Sequence, residues 1–214
     1  MKEVNYNFII TKNSLSKNKE ISNNMEGSTF HFHTHILYDI RTSLGEEEKT
    51  YLEIGSYAGG SQSLISSHNY KTNCYTIDLG EPISKDIVIR NVDKFKNIKN
   101  TFKYYQGNSQ DINIVNQVKT DLKNVDILFI DGDHSRQGVL LDFKNYSDLV
   151  VNGGYIAFDD YLDFEHSPQV KGAVDEIVSG LNLNEYKIIG SIKYDLIKEF
   201  THFENNSIFL LQKL

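Results

Sequence analysis

Residues 51–61 read Tyr51-Leu-Glu-Ile-Gly-Ser-Tyr-Ala-Gly-Gly-Ser61, a short apolar strand that runs into a glycine-rich turn able to lie against a ligand. Glu53 is the unusual member. A turn built for a dinucleotide pyrophosphate offers bare backbone N–H groups at a helix N-terminus, whereas an acid two places before the first glycine repels phosphate and attracts a cation. The spacing Glu53-x-Gly55-x-x-x-Gly59-x-Ser61 also lacks the tight glycine pair of the nicotinamide fingerprint. S-adenosylmethionine (SAM) carries both a sulfonium and an ammonium, so the turn favours SAM over NAD as the cofactor.

Further strand ends extend the pattern. Cys74-Tyr-Thr-Ile-Asp78 reads as a second strand ending in a carboxylate 23 positions after Gly55, where a doubly wound fold places the acid that accepts from ribose hydroxyls. Phe102-Lys-Tyr-Tyr-Gln-Gly107 reads as a third strand, and the Asn108-Ser-Gln-Asp111 segment after it offers Ser109 and Gln110 to an adenine edge. Val125-Asp-Ile-Leu-Phe-Ile130 is a buried strand that empties into Asp131-Gly-Asp-His134, and Gly153-Gly-Tyr-Ile-Ala-Phe158 empties into Asp159-Asp160. Separate strand ends thus deliver acids to one edge, and ligands of open α/β sheets bind at that edge.

With these motifs in this order the chain resembles the class I SAM-dependent methyltransferases, and within them the metal-dependent small-molecule O-methyltransferases of the catechol type and of macrolide and aminocoumarin sugars. Residues 51–161 carry the likeness and residues 186–214 supply the closing strands. The resemblance implies an α/β, Rossmann-like, doubly wound and mostly parallel seven-stranded sheet with an antiparallel last strand. It also implies cofactor contacts from Glu53, Gly55, Tyr57, Gly59, Ser61, Asp78, Ser109, Gln110 and Asp131.

Methyl transfer from a sulfonium to a hydroxyl is an in-line displacement, and an unassisted alcohol is a poor nucleophile at neutral pH. A hard divalent cation on oxygen ligands lowers the pKa of a coordinated hydroxyl and holds it in line. Asp131, Asp159 and Asp160, at two neighbouring strand ends, offer such ligands to Mg²⁺ or Mn²⁺. By resemblance these three fall on the family's metal positions. The catechol branch has Asp-Asn where this chain has Asp159-Asp160, and a lysine base where this chain has His134; the Asp-Gly-Asp-His motif matches the sugar branch. An imidazole titrates near pH 6.5 and needs little tuning to accept a proton, which makes His134 the first choice of general base and Asp133 the second.

Bland readings compete at each position. Glu53 could be a surface acid, Asp78 a cap, Ser109 and Gln110 ordinary turn residues, Asp133 a stabiliser of the turn at Gly132, and Asp159-Asp160 a helix cap. Two adjacent acids directly after a buried strand are costly unless paired or metalled. His31, His33 and His35 do not make a zinc site, since on a helix His33 points away from the other two and no fourth ligand follows. They read as partly exposed helix histidines. His166 is a solvated turn residue or a substrate contact.

The 214 residues suit one enzyme-sized domain, with residues 1–27 as a polar, loosely held N-terminal extension or lid and residues 28–214 as the SAM-binding domain. Helices are expected over 31–44, 60–68, 111–122, 135–150 and 169–181. A formal charge of −7 without a lysine and arginine stripe speaks against nucleic-acid partners. One cysteine fits a reducing compartment, and the N-terminal apolar run at residues 8–10 is too short for a signal or a membrane span. A cytoplasmic location follows, and a homo-oligomer is compatible with the sequence. The leading function is metal-assisted O-methylation of a small polyhydroxylated acceptor, a sugar moiety first among them. The alternatives are a related SAM-fold enzyme with other chemistry, as in the cephalosporin hydroxylase group, or a non-catalytic adenosyl-ligand binding module.

Overall fold

β1 (Lys49–Ile54) is buried on both faces along its second half, so it belongs at the centre of a sheet covered on each side. The computed structural model describes residues 12–27, 34–192 and 207–214. In it β1 lies between β2 (Thr72–Asp78) and β4 (Val125–Ile130), both parallel to it. β3 (Thr101–Gln106) and β5 (Val150–Phe158) extend the parallel sheet on either side. β7 (Ile208–Lys213) is antiparallel to both β5 and β6 (Tyr186–Ile192), and the order is β3-β2-β1-β4-β5-β7-β6. The order reverses between β1 and β4, and ligands of such sheets bind outside the carboxyl ends at that reversal.

Helices cover both faces. Crossovers α3 (Gly60–Ser66), α5 (Ile112–Asp121) and α6 (Arg136–Tyr146) fall within the expected ranges, as does α7 (Val170–Gly180). Residues 147–149 finish the 135–150 segment as a 3₁₀ turn. One core joins β1, β4 and β5 to α5, α6 and α7, and the other joins the opposite sheet face to α2 (His35–Ser43) through Ile36, Leu37 and Ile40. α4 (Lys85–Phe95), which packs on α3, has no counterpart among the sequence expectations. Its run Ile87-Val-Ile89 is β-branched and does not advertise a helix.

The N-terminal segment differs from a loose extension where it is described. Residues Lys12–Asn23 form α1, whose buried face is Ser14, Asn18 and Ile21. That spacing is helical, but two of the three residues are polar, so no hydrophobic period is visible. Ser14 Oγ donates to Asp39 (2.8 Å) and Asn18 Nδ2 to Thr34 Oγ1 (3.1 Å). Beyond the helix, the buried Asn91 of α4 accepts from Glu26 N (3.0 Å) and donates to the carbonyls of Glu26 and Ala58 (both 2.9 Å). One side chain therefore ties the segment after α1 to the glycine turn. His35 is fully buried beneath this layer rather than partly exposed; His31 and His33 lie outside the described residues. Among the described residues no helix is long and apolar enough to cross a membrane.

Candidate active site

The glycine turn and the acidic loop after β4 are in backbone contact. Gly55 has φ +81°, and a Cβ there would lie 2.1 Å from the carbonyl oxygen of Asp131. Only glycine permits both the conformation and the approach. Glu53, just upstream, is 1% exposed; its carboxylate accepts from Ser61 Oγ and from Tyr51 OH. Burial holds it well above the usual carboxylate range, and the Asp131 charge adds to that, against the hydrogen bond from Ser61. With Asn18, Ser22 and Thr34 it lines a small polar cleft of about 50 Å³ between α1 and the turn.

Asp78 clasps the same turn from β2. One oxygen accepts from Ser56 N (2.7 Å), Ser56 Oγ (3.2 Å) and Tyr57 N (3.3 Å), the other from Gly80 N (2.7 Å) and Tyr104 OH (2.9 Å). Tyr57 is held at φ +46°, and a non-glycine residue there stores strain of about 1–3 kcal/mol. Gly59, at φ +82°, precedes the first turn of α3.

The loop after β3 is anchored from below. Ser109 Oγ donates to Asp142 Oδ1 and Tyr146 OH donates to the Ser109 carbonyl, both at 2.7 Å. The Ser109 hydroxyl thus points into the protein, whereas Gln110 Nε2 reaches Asp133 (3.3 Å). Asp142 is fully buried, and burial pushes its pKa up to about 7. Its ionisation in the folded protein costs stability that the unfolded chain, titrating near 3.9, does not lose. This contribution is present below about pH 4 and disappears as pH rises to about 7. Urea unfolding at about pH 5 and about pH 8 is expected to show that loss in the parent and a flatter dependence in Asp142→Asn.

Asp131, His134 and Asp160 converge at the ends of β4 and β5, with one ligand atom from each lying within 4.8 Å of the others. His134 Nε2 stands 3.3 Å from Asp131 Oδ1, and Nδ1 stands 3.5 Å from Asp160 Oδ2. Hydrogen bonding to Asp131 raises the imidazole to about 9 despite partial burial. Asp131 is itself raised, by burial and by the neighbouring carboxylates of Asp159 and Asp160. Asp159, 5% exposed, backs the group, and Asp160 is, with Tyr57, one of two non-glycine residues at positive φ among the described residues, at +55°. Asp133 is different. It is exposed and held below the usual range by the N–H of Ser135 (2.9 Å), the residue that caps α6. Gly138 lies against it so closely that a Cβ would stand 2.5 Å from the Asp133 side chain.

A cavity of about 730 Å³ joins these groups. Gly55, Tyr57, Asp78, Ser109, Gln110, Asp131, Asp133, His134, Asp159 and Asp160 line it, while Glu53 and Ser61 open onto the adjoining small cleft with Asp131. Six carboxylates face the main cavity, and among the described residues lining it there is no lysine or arginine. The donor set fits a hard divalent cation, because oxygen ligands dominate and the nearest counter-charge is a single imidazole. Sequence reasoning missed Ser167, which lies in a loop and carries no periodic signal, and Asn91 and Tyr146, which lie on the buried faces of α4 and α6. Asp142 could have been found as an acid on the buried stripe Gly138, Val139, Asp142 and Tyr146 of α6.

A seven-stranded sheet of this order, carrying its acids at the carboxyl edge, is the fold of the class I SAM-dependent methyltransferases. The chain belongs to the family described as methyltransferase domain, whose model matches residues 52–161. It is 39% identical over 171 residues to the uncharacterised protein R132 of Acanthamoeba polyphaga mimivirus, covering 79% of this chain and 77% of that one. The O-methyltransferase of Bacillus cereus, solved with SAH, superposes with a TM-score of 0.63 at 15% identity, over 96% of this chain and 92% of the other. The MycE methyltransferase of the mycinamycin pathway, solved with Mg and SAH, gives 0.64 at 17% identity over 95% of this chain, which spans 55% of MycE. An rRNA methylase from Streptococcus thermophilus shares the fold at a TM-score of 0.60 and 14% identity, over 85% of this chain and 96% of the other.

Proposed function

We propose that the protein transfers the methyl group of SAM to a hydroxyl of a small, uncharged, polyhydroxylated acceptor such as a sugar moiety, assisted by a divalent cation. The observation that carries the reading is the Asp131, His134 and Asp160 group in the wall of the acid-lined cavity. Among the described residues a polyanionic acceptor would meet six carboxylates and no lysine or arginine there, which favours a neutral small molecule over RNA.

On this reading the glycine turn and Asp78 receive the adenosyl part of the cofactor, Gln110 reads the adenine edge, and Glu53 with Ser61 faces the charged methionine end. Asp131 and Asp160 hold the cation, with Asp159 behind them. A bound cation polarises the acceptor hydroxyl and lowers its pKa. His134 takes the proton. It is preferred to Asp133 because the carboxylate is stabilised in its ionised, weakly basic form by the Ser135 N–H, whereas His134 is held basic by its acidic neighbours.

Incubation with SAM, Mg²⁺ and a panel of glycosides and catechols tests the proposal through S-adenosylhomocysteine release. Turnover confined to RNA substrates, or SAM binding with no turnover on any hydroxylated acceptor, would overturn it. In calorimetry, Asp78→Ala is expected to weaken SAM binding by about 1–3 kcal/mol, the scale of losing charge-assisted hydrogen bonds. An unchanged affinity would remove Asp78 from the cofactor site.

A further inference from the structure

α1 lies outside the residues that the family model matches, yet it forms one wall of the small cleft beside the glycine turn. Asn18, 2% exposed, and Ser22, one helical turn further on, share the helix face that lines this cleft. Asn18 is fixed there by Nδ2, which donates to Thr34 Oγ1 at 3.1 Å. Glu53 and Ser61 stand on the side of the turn. Tyr57 and Asp131 line both the cleft and the main cavity, so one ligand can occupy the two spaces together. About 50 Å³ admits only a few water-sized groups, since one water needs about 10–15 Å³ on this measure. The ammonium and carboxylate of an amino acid fill such a space.

The two walls differ in what they can donate. Ser61 Oγ donates to Glu53, and Ser56 Oγ donates to Asp78 (3.2 Å), so the hydroxyls of the turn already serve acids. Among the described residues lining the cleft there is no lysine or arginine. A carboxylate entering it must therefore be met by neutral donors, and α1 presents them: the Asn18 amide nitrogen carries two N–H groups and Ser22 a hydroxyl. We propose that α1 recognises the amino-acid end of SAM, with Asn18, assisted by Ser22, donating to the methionine carboxylate across the cleft from Glu53. The N-terminal helix is then the part of the chain that distinguishes SAM from adenosyl ligands without that carboxylate.

The assignment rests on the reading that the cavity holds SAM, and the test separates the two. Calorimetry on the full chain compares SAM with decarboxylated SAM, which keeps the sulfonium and the ammonium, and with 5′-methylthioadenosine, which has no amino-acid end. The parent is expected to bind SAM at least about 10-fold more tightly than decarboxylated SAM, the lower end of what a hydrogen bond to a charged group contributes. Asn18→Ala should weaken SAM by about 10–100-fold for the same reason. Asn18→Asp, which meets the carboxylate with a like charge, should weaken it further. Neither variant should lose affinity for decarboxylated SAM or 5′-methylthioadenosine. A loss shared by all three ligands makes Asn18 a prop for the helix and overturns the proposal, as does a SAM affinity that the substitutions leave unchanged. Should the variants fail to fold, the parent decides by amide hydrogen exchange. Exchange in Lys12–Asn23 should slow under saturating SAM and not under saturating 5′-methylthioadenosine, and equal protection or none overturns the proposal. A parent that binds SAM and decarboxylated SAM alike defeats the assignment to α1 alone, whereas one that binds no adenosyl ligand defeats the reading of the cavity and the assignment with it.

Discussion

His134→Ala is expected to lower kcat by about 10²–10⁴-fold, the range for a general base, while SAM affinity stays near that of the parent. The imidazole lines the cavity and makes none of the contacts that hold the glycine turn. In the parent, activity should rise with pH as the imidazolium gives up its proton. The raised value of about 9 depends chiefly on Asp131, so engaging that carboxylate with a cation should bring the rise to lower pH. Single-turnover rates over about pH 5.5–9.5 measure both effects. If Asp133→Asn proves far more damaging than His134→Ala, the base is the aspartate.

Chelation is the second large effect. Excess EDTA is expected to abolish transfer, with Mg²⁺ or Mn²⁺ restoring it, and full turnover in EDTA would remove the cation from the mechanism. Asp160→Ala should weaken Mn²⁺ binding by at least about 100-fold, the upper end of what an outer-shell partner alone costs. The group carries extra protons when no cation is present, because Asp131 and His134 are both raised. Cation binding should therefore release protons and tighten as pH climbs towards about 9. Calorimetry in buffers of different ionisation enthalpy reads that release directly.

The strand ends were legible because strand chemistry is plain: apolar runs such as Val125–Ile130 stop abruptly at Asp131, and nothing but an edge explains the change. The glycine turn was legible for the same reason, since Gly55 has to pass the Asp131 carbonyl. α1 was not, because its buried face is Ser14 and Asn18 paired with Asp39 and Thr34, and polar pairs leave no hydrophobic period. α4 was hidden by β-branched residues that pack on α3 and β3. At the site, the sequence brought Asp131, Asp159 and Asp160 together as ligands. The structure brings Asp131 and Asp160 within reach of His134 and leaves Asp159 buried behind them. The Ser109 hydroxyl, expected at an adenine edge, turns inward because Asp142 lies under it. Facts of this kind depend on which helix face meets which loop, and a linear pattern does not record them.

The missing Cβ at Gly55 has a practical meaning for anyone redesigning this protein. With the Asp131 carbonyl where a methyl group would go, the first turn and the acid-bearing loop form one casting, and neither can be reshaped while the other keeps its place. Grafting a different glycine motif to change the cofactor would carry Asp131 with it, and moving Asp131 to suit another cation would reopen the turn. Variation in acceptor choice is therefore better sought in the loop of residues 161–169, which bears on His134 through Ser167 and on the start of α6 through Gln169.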